Sequence, residues 1–242
     1  MACDRAIEAQ KGRTMLIWVN TPKHPSRPFL FLDRDGIINK DRPDYIKHRR
    51  EFEFYPDALK ALRWLREHRI FVVLISNQSA INRGIITWED FWDIHHWMLR
   101  GIRESGGDIL GACYCPHRPD EGCSCRKPSP GLIETAAALF RIPLRETCFI
   151  GDRSSDLLAA GRAGCRGVLL NRLAGGVQDL PPELRPVSYD DNRENVAPTA
   201  DPAEHSIPSP EHPSRLNDRY QRVESYATLM DAVMALSKAW DA

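Results

Sequence analysis

The chain has 242 residues, and 33 Lys plus Arg balance 33 Asp plus Glu to a formal net charge of zero. With 42% hydrophobic and 27% charged residues it reads as an ordinary soluble globular protein, long enough for one sizeable core or two small ones. That balance excludes a chain built to coat nucleic acid or anionic lipid, and no apolar run nears the roughly 18 residues that a membrane span needs.

Residues 1–28 form an N-terminal extension. MACDRAIEAQKGR (1–13) mixes both charges, unlike a secretory signal, and MLIWV (15–19) offers an extra strand before a stiff spacer with Pro22, Pro25 and Pro28. From residue 29 to 174 short apolar runs alternate with helical patterns. FLFL (29–32) is a buried strand that exits into Asp33-Arg34-Asp35-Gly36. Residues 56–68 read as a helix, with Pro56 near its start and Leu59, Leu62 and Leu65 at helical spacing. IFVVLI (70–75) is the clearest strand and runs into Ser76-Asn77-Gln78-Ser79. Thr87, with Asp90 three residues on, caps a helix to about Glu104. A third strand (109–114), a third helix (130–140), a fourth strand (147–150) ending in Gly151-Asp152, a short helix (154–163) and a fifth strand (167–170) follow. Alternation of this kind implies βαβ units: an α/β, doubly wound parallel sheet with helices on both faces.

Eight of the 18 prolines fall between Pro181 and Pro213, among Asp, Glu, Ser and Asn. Residues 175–218 therefore read as a flexible insertion, too poor in apolar surface to offset ordering entropy. Residues 219–242 supply a weak strand (219–223) and an amphipathic helix (227–240) that docks back on the core.

Of seven cysteines, four lie within 113–125 beside His117. In a chain that is neither small nor visibly exported, such a cluster points to metal in a reducing, cytosolic compartment rather than to disulfides. Cys115, His117, Cys123 and Cys125 offer three thiolates and an imidazole, a tetrahedral set suited to a structural Zn²⁺ with no position left for water. Cys113, Cys148 and Cys165 read as core thiols. His95 and His96, within the Trp-rich helix, read as packing or surface residues.

Parallel sheets gather ligands at the carboxyl ends of their strands, and four successive strand ends here carry polar groups. Asp33 and Asp35, with Asp152 from another strand, could complete a hard-oxygen Mg²⁺ site. Lys127, Ser76 and Asn77 could bind phosphate oxygens.

FLDRDGIIN (31–39), SNQS (76–79), Lys127 in CRKPSPG and GDRSSDL (151–157) resemble, in order, motifs I to IV of the haloacid dehalogenase (HAD) phosphatases. The resemblance implies that Asp33 is the nucleophile that forms an aspartyl-phosphate and Asp35 the general acid and base. It further implies Mg²⁺ held by Asp33, the Asp35 backbone carbonyl and Asp152, with Ser76 and Lys127 stabilising the transferring phosphoryl group. Asp156 then orients Lys127 or the metal waters. CPH…CxC followed by RKP resembles a zinc-bearing, minimally capped branch that includes heptose 1,7-bisphosphate 7-phosphatases and histidinol-phosphate phosphatases. Asn39 and NQSAINRG (77–84) favour the heptose members, which serve lipopolysaccharide or S-layer glycans. By position, the resemblance implies that Arg34, the stretch from Asp41 to Asp44, and Ser76, Asn77, Gln78 and Ser79 line the substrate, and that Arg126 and Arg153 touch the phosphate that is not removed.

Two positions and one short stretch depart from that branch. Ile37 stands in place of Thr, Ala80 in place of Gly, and DRPD (41–44) replaces a DHGY-like stretch. The expected protein is a monomeric, cytoplasmic enzyme acting on a small phosphorylated sugar, without nucleic acid or membrane partners. Two alternatives are a histidinol-phosphate phosphatase and a non-catalytic zinc-clasped binding protein.

Overall fold

The computed structural model describes the backbone of residues 5–7 and residues 15–20, 28–172 and 224–240. The expected insertion at 175–218 and the weak strand expected at 219–223 lie outside them.

Four apolar runs become the middle of one sheet: β3 (Phe29–Leu32), β4 (Phe71–Asn77), β5 (Gly111–Cys115) and β6 (Cys148–Gly151). β1 (Arg5–Ile7), β2 (Leu16–Val19), β7 (Arg166–Leu170) and β8 (Glu224–Tyr226) extend it to the order β1-β2-β5-β4-β3-β6-β7-β8. Strands β3 to β8 pair in parallel. The expected parallel sheet is present, and at one edge β1 and β2 join it by antiparallel pairing. MLIWV reaches β5 from outside the βαβ series, so no crossover constrains its direction.

The apolar runs are continuous because both faces of the sheet are covered. Leu30, Leu32, Val72, Leu74 and Ile150 pack on one side with α1 (Pro56–Glu67), α2 (Trp88–Glu104) and α5 (Leu229–Trp240). Phe31, Val73, Ile75 and Phe149 pack on the other with α3 (Gly131–Phe140) and α4 (Ser154–Ala163). Helix boundaries follow local chemistry. Pro56 opens α1, and Thr87 and Asp90 form a reciprocal capping box on α2. Thr228 Oγ1 accepts from the Asp231 N–H, so α5 begins at Leu229 rather than at Ala227. β3 lies between β4 and β6, the point at which the winding reverses and a crevice opens at the strand ends.

Candidate active site

Asp33 leaves β3 with its N–H bonded to the Ile150 carbonyl at 3.0 Å, which ties the first strand exit to the fourth. Its Oδ2 lies 3.0 Å from Lys127 Nζ, and Lys127 Nζ lies 2.7 Å from Asp156 Oδ1. The ammonium also donates to the Ile75 carbonyl at 2.9 Å. Asp33, Lys127 and Asp156 are all buried. Burial by itself would lower the Lys127 pKa, but Asp156 and Asp33 more than offset it, and the amine is held charged.

Asp152 sits below this group, half-buried, with Oδ1 lacking any hydrogen-bond partner. Burial, with Asp33 and Asp156 adding to it, pushes its carboxyl up to about 8. Burial likewise pushes Asp33 up to about 6, against the pull of Lys127 and with Asp156 and Asp35 adding to the rise. Oxygens of Asp33, Asp152 and Asp156 all lie within 4.8 Å of one another. Three carboxylates share one lysine, so the cluster is short of positive charge. An orphaned, buried carboxylate oxygen in such a set fits a divalent cation.

Two glycines make this proximity possible. At Gly36 (φ +78°) a Cβ would meet Asp152 Oδ2 at 2.0 Å, and at Gly151 one would meet Asp156 Oδ2 at 2.3 Å. Gly36 therefore serves both the left-handed turn after the Asp pair and the close approach of Asp152.

Asp35 lies in a different environment. Arg34 donates to its Oδ1 through Nε (3.1 Å) and Nη2 (2.9 Å), Asn39 Nδ2 donates at 2.8 Å, and Gln78 Nε2 donates to Oδ2 at 2.7 Å. Burial works against the charged form, but these donors prevail and hold Asp35 below the usual carboxylate range. Gln78 also donates to Ser76 Oγ at 3.1 Å. Arg34, expected to face substrate, is buried and commits its guanidinium fork to Asp35 on the cavity floor.

Asn77 plays a part that its motif did not foretell. Its Nδ2 donates to the Lys127 carbonyl and its Oδ1 accepts from the Lys127 N–H, both at 3.1 Å. The amide thus fixes the loop that carries the lysine. Asp33, Arg34, Asp35, Asp41, Ser76, Asn77, Gln78, Ser79, Arg126, Lys127, Arg153 and Asp156 line a cavity of about 310 Å³. Arg42 and Pro43, within the stretch expected at the sugar, line it as well, as do Tyr45, Ile46, Ala80 and Ser155, which sequence reasoning did not place there. Arg153 Nη2 donates to Asp41 Oδ2 at the rim. Asp44 stands outside the lining, turned to Lys47 and Arg42 in exposed ion pairs.

The Cys/His cluster closes on itself beside the cavity. Sγ–Sγ distances among Cys115, Cys123 and Cys125 are 3.3–3.6 Å, and His117 Nδ1 lies 3.4 and 3.3 Å from Cys115 and Cys125. A tetrahedral Zn²⁺ with bonds of about 2.3 Å would set sulfurs about 3.8 Å apart, so the set fits that ion with small relaxation. Arg126 Nη1 donates to the His117 carbonyl at 3.0 Å, coupling the cluster to the cavity wall. Cys113, Cys148 and Cys165 are buried and free. His95 is buried, with Nδ1 at 2.8 Å from the Tyr114 hydroxyl.

A HAD-hydrolase-like family model matches residues 124–188. The chain is 40% identical over 142 residues to the D-glycero-beta-D-manno-heptose-1,7-bisphosphate 7-phosphatase of Helicobacter pylori, covering 58% of this chain and 82% of that one. It is 35% identical to the corresponding alpha-named phosphatase of Photorhabdus laumondii, over 59% of this chain and 81% of that one. The chain belongs to this phosphatase family.

Its fold agrees with that of the D,D-heptose 1,7-bisphosphate phosphatase from B. bronchiseptica, solved with magnesium and phosphate. The TM-score is 0.68, with 26% identity over 88% of this chain and 99% of the other. As a HAD-like phosphatase the protein is a phosphoric monoester hydrolase. Among the described residues, no helix is long and apolar enough to cross a membrane.

Proposed function

We propose that the protein is a Mg²⁺-dependent, cytoplasmic phosphatase that removes the 7-phosphate of D-glycero-D-manno-heptose 1,7-bisphosphate. One observation carries this reading. The exits of β3 and β6, the first turn of α4 and the loop after β5 bring three carboxylates and one lysine together at a single cavity, in a chain 35–40% identical to phosphatases so named. Those names favour the heptose substrate over histidinol phosphate, and the intact charged cluster speaks against a mere binding protein.

A magnesium ion held by Asp33, Asp152 and the Asp35 carbonyl would supply positive charge between the nucleophile and the incoming phosphate. The chain's own groups do the rest. An Asp33 oxygen forms a bond to phosphorus as the bond to the sugar oxygen breaks, giving an aspartyl-phosphate. Lys127 and Ser76 hold the phosphoryl oxygens, and Asp156 keeps Lys127 charged and aimed. Asp35 gives a proton to the departing sugar oxygen and then takes one from the water that cleaves the aspartyl-phosphate. Its grip by Arg34, Asn39 and Gln78 suits the base half directly. The acid half requires the Arg34 pair to loosen as phosphate enters. Arg126 and Arg153 face the remaining phosphate, and Cys115, His117, Cys123 and Cys125 would hold a structural Zn²⁺, fixing the loop whose His117 carbonyl accepts from Arg126.

Phosphate release with Mg²⁺, comparing heptose 1,7-bisphosphate and histidinol phosphate at matched concentrations, tests the reading. A preference of about tenfold or more for the bisphosphate is expected, lost in an Asp33→Asn protein that stays folded. Preference for histidinol phosphate would reassign the substrate. Release from neither, by a folded protein, would sink both substrate assignments.

A further inference from the structure

The turn that carries the nucleophile has one soft point. Gly36 has no Cβ, and its two flanking peptide planes can rotate more freely than those of any neighbour. One plane, between Asp35 and Gly36, is fixed because the Gly36 N–H donates to the Asn39 carbonyl at 2.8 Å. The other, between Gly36 and Ile37, has a long bond inside the turn, from the Ile37 N–H to the Arg34 carbonyl at 3.3 Å, and is fixed further from outside it. Arg172 Nε donates to the Gly36 carbonyl at 3.1 Å, and Arg172 Nη2 donates to the Ile37 carbonyl at 3.0 Å.

The rest of that guanidinium is anchored too. Nη1 and Nη2 donate to the two Asp57 oxygens at 2.8 and 3.0 Å, and the group stacks 3.7 Å from the centre of the Tyr55 ring. Asp57 Oδ2 accepts in turn from the Leu229 N–H at 2.8 Å, the first N–H of α5. One carboxylate therefore receives the arginine fork and the positive end of the C-terminal helix. The Arg172 and Asp57 side chains are only 13% and 22% exposed, so water screens the pair weakly.

We propose that Arg172 is a positioning residue that clamps the Gly36–Ile37 backbone, and that Asp57 links this clamp to the docking of α5. This rests on the phosphatase reading for its catalytic consequence. A shift at Gly36 would move the Asp35 carbonyl and open the contact with Asp152, whose carboxylate fits against the glycine only because no Cβ intervenes. Arg172 touches neither the cavity lining nor the reacting atoms; it acts through the turn.

The first variant is Arg172→Lys, which keeps a positive charge and an aliphatic stem over Tyr55 and so preserves folding. A compact ammonium cannot serve two carbonyls and both carboxylate oxygens at once. We expect kcat to fall about 10- to 100-fold with KM changed less than about threefold. Mg²⁺ affinity, read by calorimetry on the folded protein, should weaken several-fold in the same variant. Asp57→Asn should show the same split more mildly, and combining it with Arg172→Lys should add little, because both cut one link. Wild-type kcat and Mg²⁺ affinity in Arg172→Lys would overturn the proposal, as would a loss confined to KM. If the wild-type protein hydrolyses neither substrate, the substrate reading fails, while the Mg²⁺ titration still decides the clamp.

Discussion

The two metal-capable clusters among the described residues are built on opposite plans. The Cys/His set comes from one short segment, residues 115–125, with its four donor atoms turned toward one another. The carboxylate set is drawn from the exits of β3 and β6 and the first turn of α4, with its lysine from the loop after β5. It opens on a cavity and is left short of positive charge. A local set can close as soon as its loop folds, and serves as a brace. A set assembled over long range keeps an electrostatic deficit that incoming ligands can satisfy.

That contrast can be broken at either end. The largest effect should come from removing the hard cation. Chelation with EDTA should abolish phosphate release, and Mg²⁺ should restore it without any return of zinc to the buffer. Recovery that required zinc instead would reverse the two assignments.

Disrupting the clasp should cost less. Cys123→Ser, at its half-buried member, should lower bound zinc below one equivalent by elemental analysis. Activity should fall about 10- to 100-fold through Arg126 and Lys127, a loss typical of groups that support a site from behind. Undiminished activity in a zinc-free variant would uncouple the clasp from the cavity.

The smallest effect concerns pH in the metal-free protein. Asp33 and Asp152 have folded pKa values of about 6 and about 8, above the 3.8 of a free carboxyl. A raised carboxyl binds its proton more tightly in the folded state. Its stabilisation is therefore full below about pH 4 and lost as pH rises through the folded value. With EDTA, the part of the melting temperature due to this cluster should decline between about pH 4 and 8. Mg²⁺ should raise the melting temperature by several degrees more at pH 8 than at pH 5. An Mg²⁺ effect independent of pH would show that these carboxyls are not its ligands.

Much of this arrangement was legible in the residues, because strand exits announce themselves as apolar runs that stop at polar turns. The run at 70–75 predicted a strand, though β4 continues through Ser76 and Asn77, whose ladder partners Tyr114 and Cys115 are invisible from one strand alone. Asp44 was expected at the sugar, but Arg42 and Lys47 lie within its local reach and hold it at the surface. Asn77 was read as a phosphate ligand, whereas its amide matches the two backbone groups of Lys127, a pairing no side-chain motif encodes. Arg172 escaped notice for the same reason: two of its acceptors are main-chain carbonyls 136 and 135 positions upstream.

That separation sets an order of events during synthesis. The ribosome releases the nucleophile turn early, the arginine that steadies it more than a hundred residues later, and the helix whose first N–H meets Asp57 later still. A growing chain can thus display Asp33 and Asp35 long before it can hold them in register. On this account a polypeptide that ends before Arg172 lacks the clamp, and the turn is steadied in full only after the helix that meets Asp57 has been made.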